Sequence, residues 1–254
     1  MTAYNEEHCI DKAIKSIQDQ TFMDWELIIV NDASNDRTKE VIKKYLYQEP
    51  RIHLINNEKN LGLAASLNIG LKFSQAEFIA RADADDINLP KRLDKQYSFM
   101  QKNKNVDVLG TGAWLLDSLG HRISRVILPS THNEIVKLPF LKTKFFHSSV
   151  IVRRRFFDKV GLYDESYLRS QDKELWMRGV YKGCNYANLP EPLIEYATND
   201  YNRSWGTIFE RIKALFKMVR TYQVKNGYTL ILKSLTYSLL VKMHLYKPVV
   251  LRNV

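Results

Sequence analysis

Cysteine is nearly absent from this chain of 254 residues: only Cys9 and Cys184 occur. Two cysteines make neither a disulfide framework nor a cysteine metal cluster, and they fit a reducing, cytoplasmic setting. No uncharged apolar run approaches the ~20 residues that span a bilayer. The longest candidate, "YTLILKSLTYSLLV", is interrupted by Lys233. The opening "MTAYNEEHCI" has no basic segment followed by an apolar one, so it does not read as a secretory leader. It also lacks the glycine-rich, basic phosphate loop that would favour a nucleotidyltransferase. Acid is scarce in the tail: Gly206 to Val254 holds nine Lys or Arg and one acid, Glu210. Internal repeats and low-complexity tracts are missing too.

What is present is ordinary in amount and uneven in place. Apolar residues make up 45% and charged residues 26%, as in soluble globular proteins. The length suits one large domain or two small ones, with a core that needs no staples. Of the net charge of +10, the tail carries +8, and +10 less +8 leaves +2 for the first 205 residues. A basic stripe is also the footprint of a nucleic-acid-binding protein. Here the body is nearly neutral and no nucleic-acid module is legible, so no nucleic-acid partner is expected.

Apolar spacing predicts helices over "EEHCIDKAIKSIQDQ", "SNDRTKEVIKKYL" (Ser34, Asn35 and Asp36 as caps) and "GLAASLNIGLKFS", and a further one opened by Pro90. "WELIIVND", "RIHLINN" and "EFIARADADD" read as strands. Such alternation predicts an α/β fold with a parallel sheet and ligands beyond the carboxyl ends of its strands. Two strands end there in acid: Asp32 after one, and Asp83, Asp85 and Asp86 after the other. Past about residue 105 the order changes. Strands flank a turn at Gly120, "HSSVIVRRRFFDKVG" reads as strand then helix, and "SQDKELWMRGVYKG" as a helix capped by Ser170 and stopped by Gly183. Two basic helices separated by Gly227 follow Thr207.

The crowded acids of "ARADADD" allow two readings. They are a solvated loop with capping acids, or a site for a hard divalent cation. Side chains two apart on a strand share a face, and Mg²⁺ sites use one or two carboxylates plus substrate phosphates.

The order of "TAYNEE", "WELIIVNDASNDRT", "NEKNLGLAASLNIGL", "EFIARADADDINLPKRL" and "VGLYDESYLRSQDKELWMR" resembles the family 2 glycosyltransferases over residues 1 to about 200. The resemblance implies a GT-A type, Rossmann-like, mostly parallel sheet flanked by helices, with a C-terminal helical extension. Residues 1–205 would form the catalytic domain, 1–105 its donor half and 106–205 its acceptor half. Residues 206–254 would be a basic amphipathic extension. It further implies an inverting, hexosyltransferase-type enzyme of bacterial surface-polysaccharide synthesis. The donor would be a nucleoside-diphospho-sugar, UDP foremost, the cofactor Mn²⁺ or Mg²⁺, and the acceptor a glycan or lipid-linked glycan.

The same resemblance implies roles. Thr2, Ala3 and Tyr4 line the nucleoside pocket, and Asp32 accepts a hydrogen bond from the base. Asn60, Gly62 and Asn68 lie near the diphosphate. Asp83 approaches ribose or metal, Asp85 holds the metal, and Asp86 is structural. Asp172 is the general base, although Gln171 stands where relatives carry glutamate. Glu174 and Trp176 border the acceptor. Plainer alternatives stay open: a packed Tyr4, an ordinary strand-end Asp32, and Asp172 as a first-turn acid complementing the helix dipole. Glu174 could be a solvated acid, Trp176 a core ring, His147 a satisfied core histidine, and Arg153 to Arg155 a solvated strand end. Leu67 stands where many relatives carry a basic residue, which puts a direct charge contact to phosphate there in question, while Gln171 and the missing first strand keep a catalytically inactive relative in view. Because relatives begin with an apolar strand of which "TAYN" is the end, a short or frayed first strand is expected. The basic tail predicts either peripheral contact with an anionic inner membrane face or a pair of packing helices, as in a homodimer.

Overall fold

The computed structural model describes residues 1–137, 144–198, 205–224, 227–229 and 231–232. The second tail helix expected up to Pro248 lies mostly outside them. In the first half, strands and helices alternate: β1 (Thr2–Ala3), α1 (Ile10–Gln18), β2 (Leu27–Asn31), α2 (Thr38–Leu46), β3 (Ile52–Asn56) and α3 (Leu63–Phe73). The three strands pair in parallel in the order β1-β2-β3. Ile10, Ile14 and Ile17 of α1 and Ile42 and Tyr45 of α2 pack with Leu27 and Ile29 of β2 in one core. Helices on the sheet explain why β2 is apolar from residue 27 to 30.

The second half is a mixed sheet. It contains β4 (Phe78–Ala80), β5 (Ile87–Asn88), β6 (Val108–Leu116), β7 (Arg122–Val126), β8 (Ile151–Arg153) and β9 (Tyr186–Ala197), in the order β4-β8-β6-β9-β5 with β7 on β6. Only β6 and β9 pair in parallel here; the other pairs are antiparallel. The parallel pattern is therefore concentrated before residue 57. The hairpin at Gly120 (φ 83°) accounts for one antiparallel pair.

Helices α4 (Arg92–Lys102), α5 (His132–Lys137), α6 (Arg154–Val160) and α7 (Gln171–Tyr181) flank this sheet. Pro90 stands two residues ahead of α4 rather than opening it, and its carbonyl accepts the Thr21 N–H (2.9 Å). The two sheets meet through one parallel bridge, Thr2 to Asp83. The short β1 thereby aligns the ends of β1, β2 and β3 with the acid loop on one edge. Behind that edge, between β2 and β4, lies a mainly apolar cavity of about 610 Å³, lined in part by Ile28, Leu67, Ile79 and Arg81.

Helix α8 (Trp205–Tyr222) packs Ala214, Leu215, Met218 and Val219 against Tyr167 and Met177. Glu174 of α7 fastens it. Its carboxylate receives Arg178 (2.9 and 2.7 Å) and the Tyr222 hydroxyl (2.6 Å). The acid is 3% exposed, so neutralising it strands the Arg178 charge. Glu174→Gln is expected to lower stability by about 1–3 kcal/mol, read as a lower urea midpoint at unchanged slope. An unchanged midpoint would show that this clamp carries no weight.

Candidate active site

The edge opens with Tyr4, 43% exposed just past β1, while Ala3 is buried and accepts the Asp32 N–H at 2.9 Å. Asp32, 4% exposed, spends its carboxylate on the next loop. It receives Asn57 Nδ2, the Leu61 N–H and the Gly62 N–H, each at 2.8 Å. Gly62 (φ 86°) turns the chain into α3, in the left-handed region that favours glycine. Three of about four acceptor positions are filled, so the structure gives Asp32 the work of shaping loop 57–62 rather than an open face for a base. Asn60 is exposed in that loop. Asn68 is a correction to the expected diphosphate contact. It is buried, donates to the Tyr163 carbonyl (3.0 Å) and Glu165 Oε1 (2.9 Å), and accepts the Tyr163 N–H (3.0 Å). Its side chain pins loop 163–165 to the donor half.

The acids of "DADD" converge. Asp83, Asp85 and Asp86 each offer a carboxylate oxygen within 4.8 Å of the others. Burial pushes the Asp83 carboxyl up, but Arg81 beside it and His147 beyond reverse this and hold it below the ordinary range. Burial and the Asp83 charge push Asp85 up to about 6. Burial and then both neighbouring acids push Asp86 up to about 8. Asp86 is 2% exposed and bonded to the Ser148 hydroxyl and the Ala197 N–H (2.9 Å), so it ties β9 to the loop. Three hard oxygen donors in mutual repulsion fit a divalent cation.

Asp172 is half-buried in the first turn of α7. Its charge and that of Asp83 both act on His147, Tyr163 and Tyr196, which brings donor-half and acceptor-half acids to one locality. His147 Nε2 meets the Tyr163 hydroxyl at 2.8 Å, and burial, then Arg81, lower the imidazole to about 4. It is a neutral core histidine at neutral pH. Ser170 takes the cap position of α7, but in the left-handed region (φ 60°) and without a side-chain capping bond. The backbone just ahead of Asp172 is therefore strained.

Two expected acceptor-side residues turn inward. Glu174 is engaged by Arg178 and Tyr222, and Trp176, 2% exposed, packs among Phe145, Phe156 and His147. The arginines 153–155 are all engaged by other elements, and of the three Arg155 alone is exposed. Arg153 is 5% exposed and reaches Glu77 (2.6 Å) and the Met100 carbonyl (2.9 Å). Arg154 and Arg155 bind the Ser74 carbonyl (2.8 Å) and Asp107 (2.7 Å). Sequence reasoning missed Arg81, which pairs with Asp83, and Glu6, which burial and the charges of Asp85 and Asp83 raise to about 7. Both lie inside quoted motifs, yet nothing local shows that they face the acids.

This is a GT-A type fold with its acids gathered at the carboxyl edge, the layout of a sugar-transferring enzyme. A profile of Glycosyl transferase family 2 matches residues 1–161, and the chain belongs to that family. It is similar to the putative glycosyltransferase EpsE of Bacillus subtilis, 37% identical over 196 residues, covering 76% of this chain and 69% of that one. The amylovoran biosynthesis glycosyltransferase AmsE of Erwinia amylovora is 30% identical over 221 residues (84% and 82% covered). The UDP-Glc:alpha-D-GlcNAc-diphosphoundecaprenol beta-1,3-glucosyltransferase WfgD of Escherichia coli is 34% identical over 139 residues (54% and 53%). Among crystal structures, residues 1–349 of S. aureus TarS with UDP-GlcNAc superpose with TM-score 0.67 at 17% identity, covering 86% of this chain and 65% of that one. The mannosyltransferase PcManGT of Pyrobaculum calidifontis, with GDP-Man and Mn²⁺, gives 0.66 at 16% identity (93% and 68%). The two structures support the fold alone.

The raised acids set a pH dependence. A carboxyl with a raised folded pKa binds more protons folded than unfolded, so stability falls as pH rises toward that pKa. Asp85, Glu6 and Asp86 act in this sense up to about 6, 7 and 8. His147, lowered to about 4, acts oppositely, but only below its unfolded value near 6.5. The buried Met1 amine, lowered to about 5, also acts oppositely, up to its unfolded value near 8, so the acids are isolated by comparison with a variant. Without divalent ions, the native chain's melting temperature is expected to fall relative to that of Asp86→Asn between pH 6.5 and 8, the variant gaining about 2–4 °C by pH 8. A difference that does not change with pH would contradict the crowding.

Proposed function

We propose that this glycosyltransferase moves a hexose from a UDP-sugar to a hydroxyl of a glycan or lipid-linked acceptor, with inversion, in surface-polysaccharide synthesis. The carrying observation is the convergence of Asp83, Asp85 and Asp86 at the edge of the sheet, with Asp172 and Asp83 both acting on His147 and Tyr163. The exposed Tyr4 ring would pack on the base. Asp83 and Asp85 would hold Mn²⁺ or Mg²⁺, which supplies charge screening for the departing diphosphate. Asp172, in the first turn of α7, would take the proton of the attacking hydroxyl. The names of AmsE and WfgD support the polysaccharide setting, and that of WfgD supports a UDP-sugar donor and a lipid diphosphate acceptor.

Calorimetric titration with UDP, GDP and dTDP, each with and without Mn²⁺, tests the donor half. One nucleotide should bind with metal dependence, and Asp85→Ala should abolish it. Asp172→Asn should leave that binding intact while lowering transfer by about 10²–10⁴-fold. No binding by any of the three would sink the proposal.

A peripheral membrane contact is supported by α8. Phe209, Arg211, Lys213, Phe216, Lys217 and Arg220 are all exposed, with the Lys213 ammonium 4.5 Å from the Phe209 ring centroid. Among the described residues, no helix is long and apolar enough to cross a membrane. In flotation with anionic liposomes, Phe209→Ser with Phe216→Ser should lose binding that the native chain shows. Equal flotation would remove α8 from the contact.

A further inference from the structure

Arg81 lies two residues before the first acid of the cluster, at the end of β4, and is 6% exposed. An arginine has five N–H donors. Its terminal nitrogens go to the Ala82 carbonyl and to Asp83, while the buried Nε has no partner among the described residues. Asp83 is its ion-pair partner among the described residues. The guanidinium borders the cavity behind the edge, whose other lining is mainly apolar, so it finds no alternative anion on that side at ion-pair distance. A buried cation thus rests on one of the carboxylates that converge with Asp85.

We propose that Arg81 is a built-in competitor for the divalent cation: its guanidinium holds Asp83, and an ion binding to Asp83 and Asp85 must displace it or share that carboxylate. The inference rests on reading those two acids as metal ligands. Opposite charge at hydrogen-bond distance lowers the free energy of a carboxylate by an amount that shifts its proton affinity 10- to 1,000-fold, and a second cation meets the same penalty. Arg81 therefore weakens loading by the ion alone. It also keeps the acid loop compact, because one of three repelling charges is always compensated.

The test is Mn²⁺ binding without nucleotide, measured by the loss of the free-ion paramagnetic resonance signal. Arg81→Gln is expected to bind Mn²⁺ about tenfold tighter than the native chain, by the lower end of that range. Arg81→Lys keeps the charge and should return affinity to near the native value. Affinity unchanged or weakened in Arg81→Gln would overturn the competition and leave the metal reading standing. Failure of the native chain and Arg81→Gln alike to bind Mn²⁺ would remove the metal reading, and this proposal with it. A measurement on the native chain is independent of any folding defect. Nitrogen-15 resonances of the Arg81 guanidinium should move as Mg²⁺ saturates the site, and immobile resonances at saturation would overturn the proposal.

Discussion

Three carboxylates with oxygens inside 4.8 Å of one another repel, and much of the surrounding structure serves to hold them there. The restraint comes from below. Arg92 is fully buried and lies under the loop, bonded to Asn88, Gln96 Oε1 (3.0 Å), the Arg81 carbonyl (2.7 Å) and the Val150 carbonyl (3.2 Å). Burial lowers it to about 9, so it remains a cation at neutral pH, and Asp86 is the first group that opposes the drop. Gln96 continues the net to the Leu109 and Ser149 carbonyls (3.0 and 2.9 Å). Gln20 ties α1 to the Leu89 carbonyl at 2.9 Å. Backbone carbonyls that would be unpaired at an irregular loop are thus satisfied by buried side chains.

The same economy joins the two halves. Among the described residues they share no long run of paired strands, only the bridge from Thr2 to Asp83. In its place, single polar side chains reach across. Asn68 grips the backbone of Tyr163, and Asp86 grips Ser148 and the Ala197 N–H. Tyr163 then touches His147, whose ring packs on Trp176 of α7. The position of the Asp172 helix relative to the acid loop therefore depends on a few desolvated hydrogen bonds. Each is costly to break, because its partner would be left buried and unpaired.

The sequence made the elements legible where one period dominates. Ile10, Ile14 and Ile17 mark α1 and the run before Asp32 marks β2, and both form where the pattern puts them. The acid cluster was legible because it follows a strand end. The side-chain targets were not. Asp32, Asn68 and Glu174 look from sequence like ligand-facing polar residues, and each is consumed by a partner 25 or more positions away, except the Arg178 contact four residues on. A polar side chain at a loop end serves a ligand or a distant backbone group equally well by local pattern. Only the tertiary path decides. Arginine misleads in the same way: "RRR" suggests a solvated run, yet its long stems let all three guanidiniums reach carbonyls and carboxylates of other elements.

A chain without a glycine-rich phosphate cradle must meet a polyanion by other means. Backbone N–H groups that could have formed an anion nest after β3 are already committed: those of Leu61 and Gly62 point at Asp32. Anion binding at this edge then falls to cations, and those near the acid loop, Arg81 and Arg92, are buried and face inward. The acids of "DADD" resolve this apparent contradiction. Negative charge that cannot itself attract a diphosphate can hold a mobile dication that does, and the raised affinities of Asp85 and Asp86 for protons are the same stored repulsion expressed toward a smaller ion. The crowding that destabilises the loop is what gives it a reason to bind.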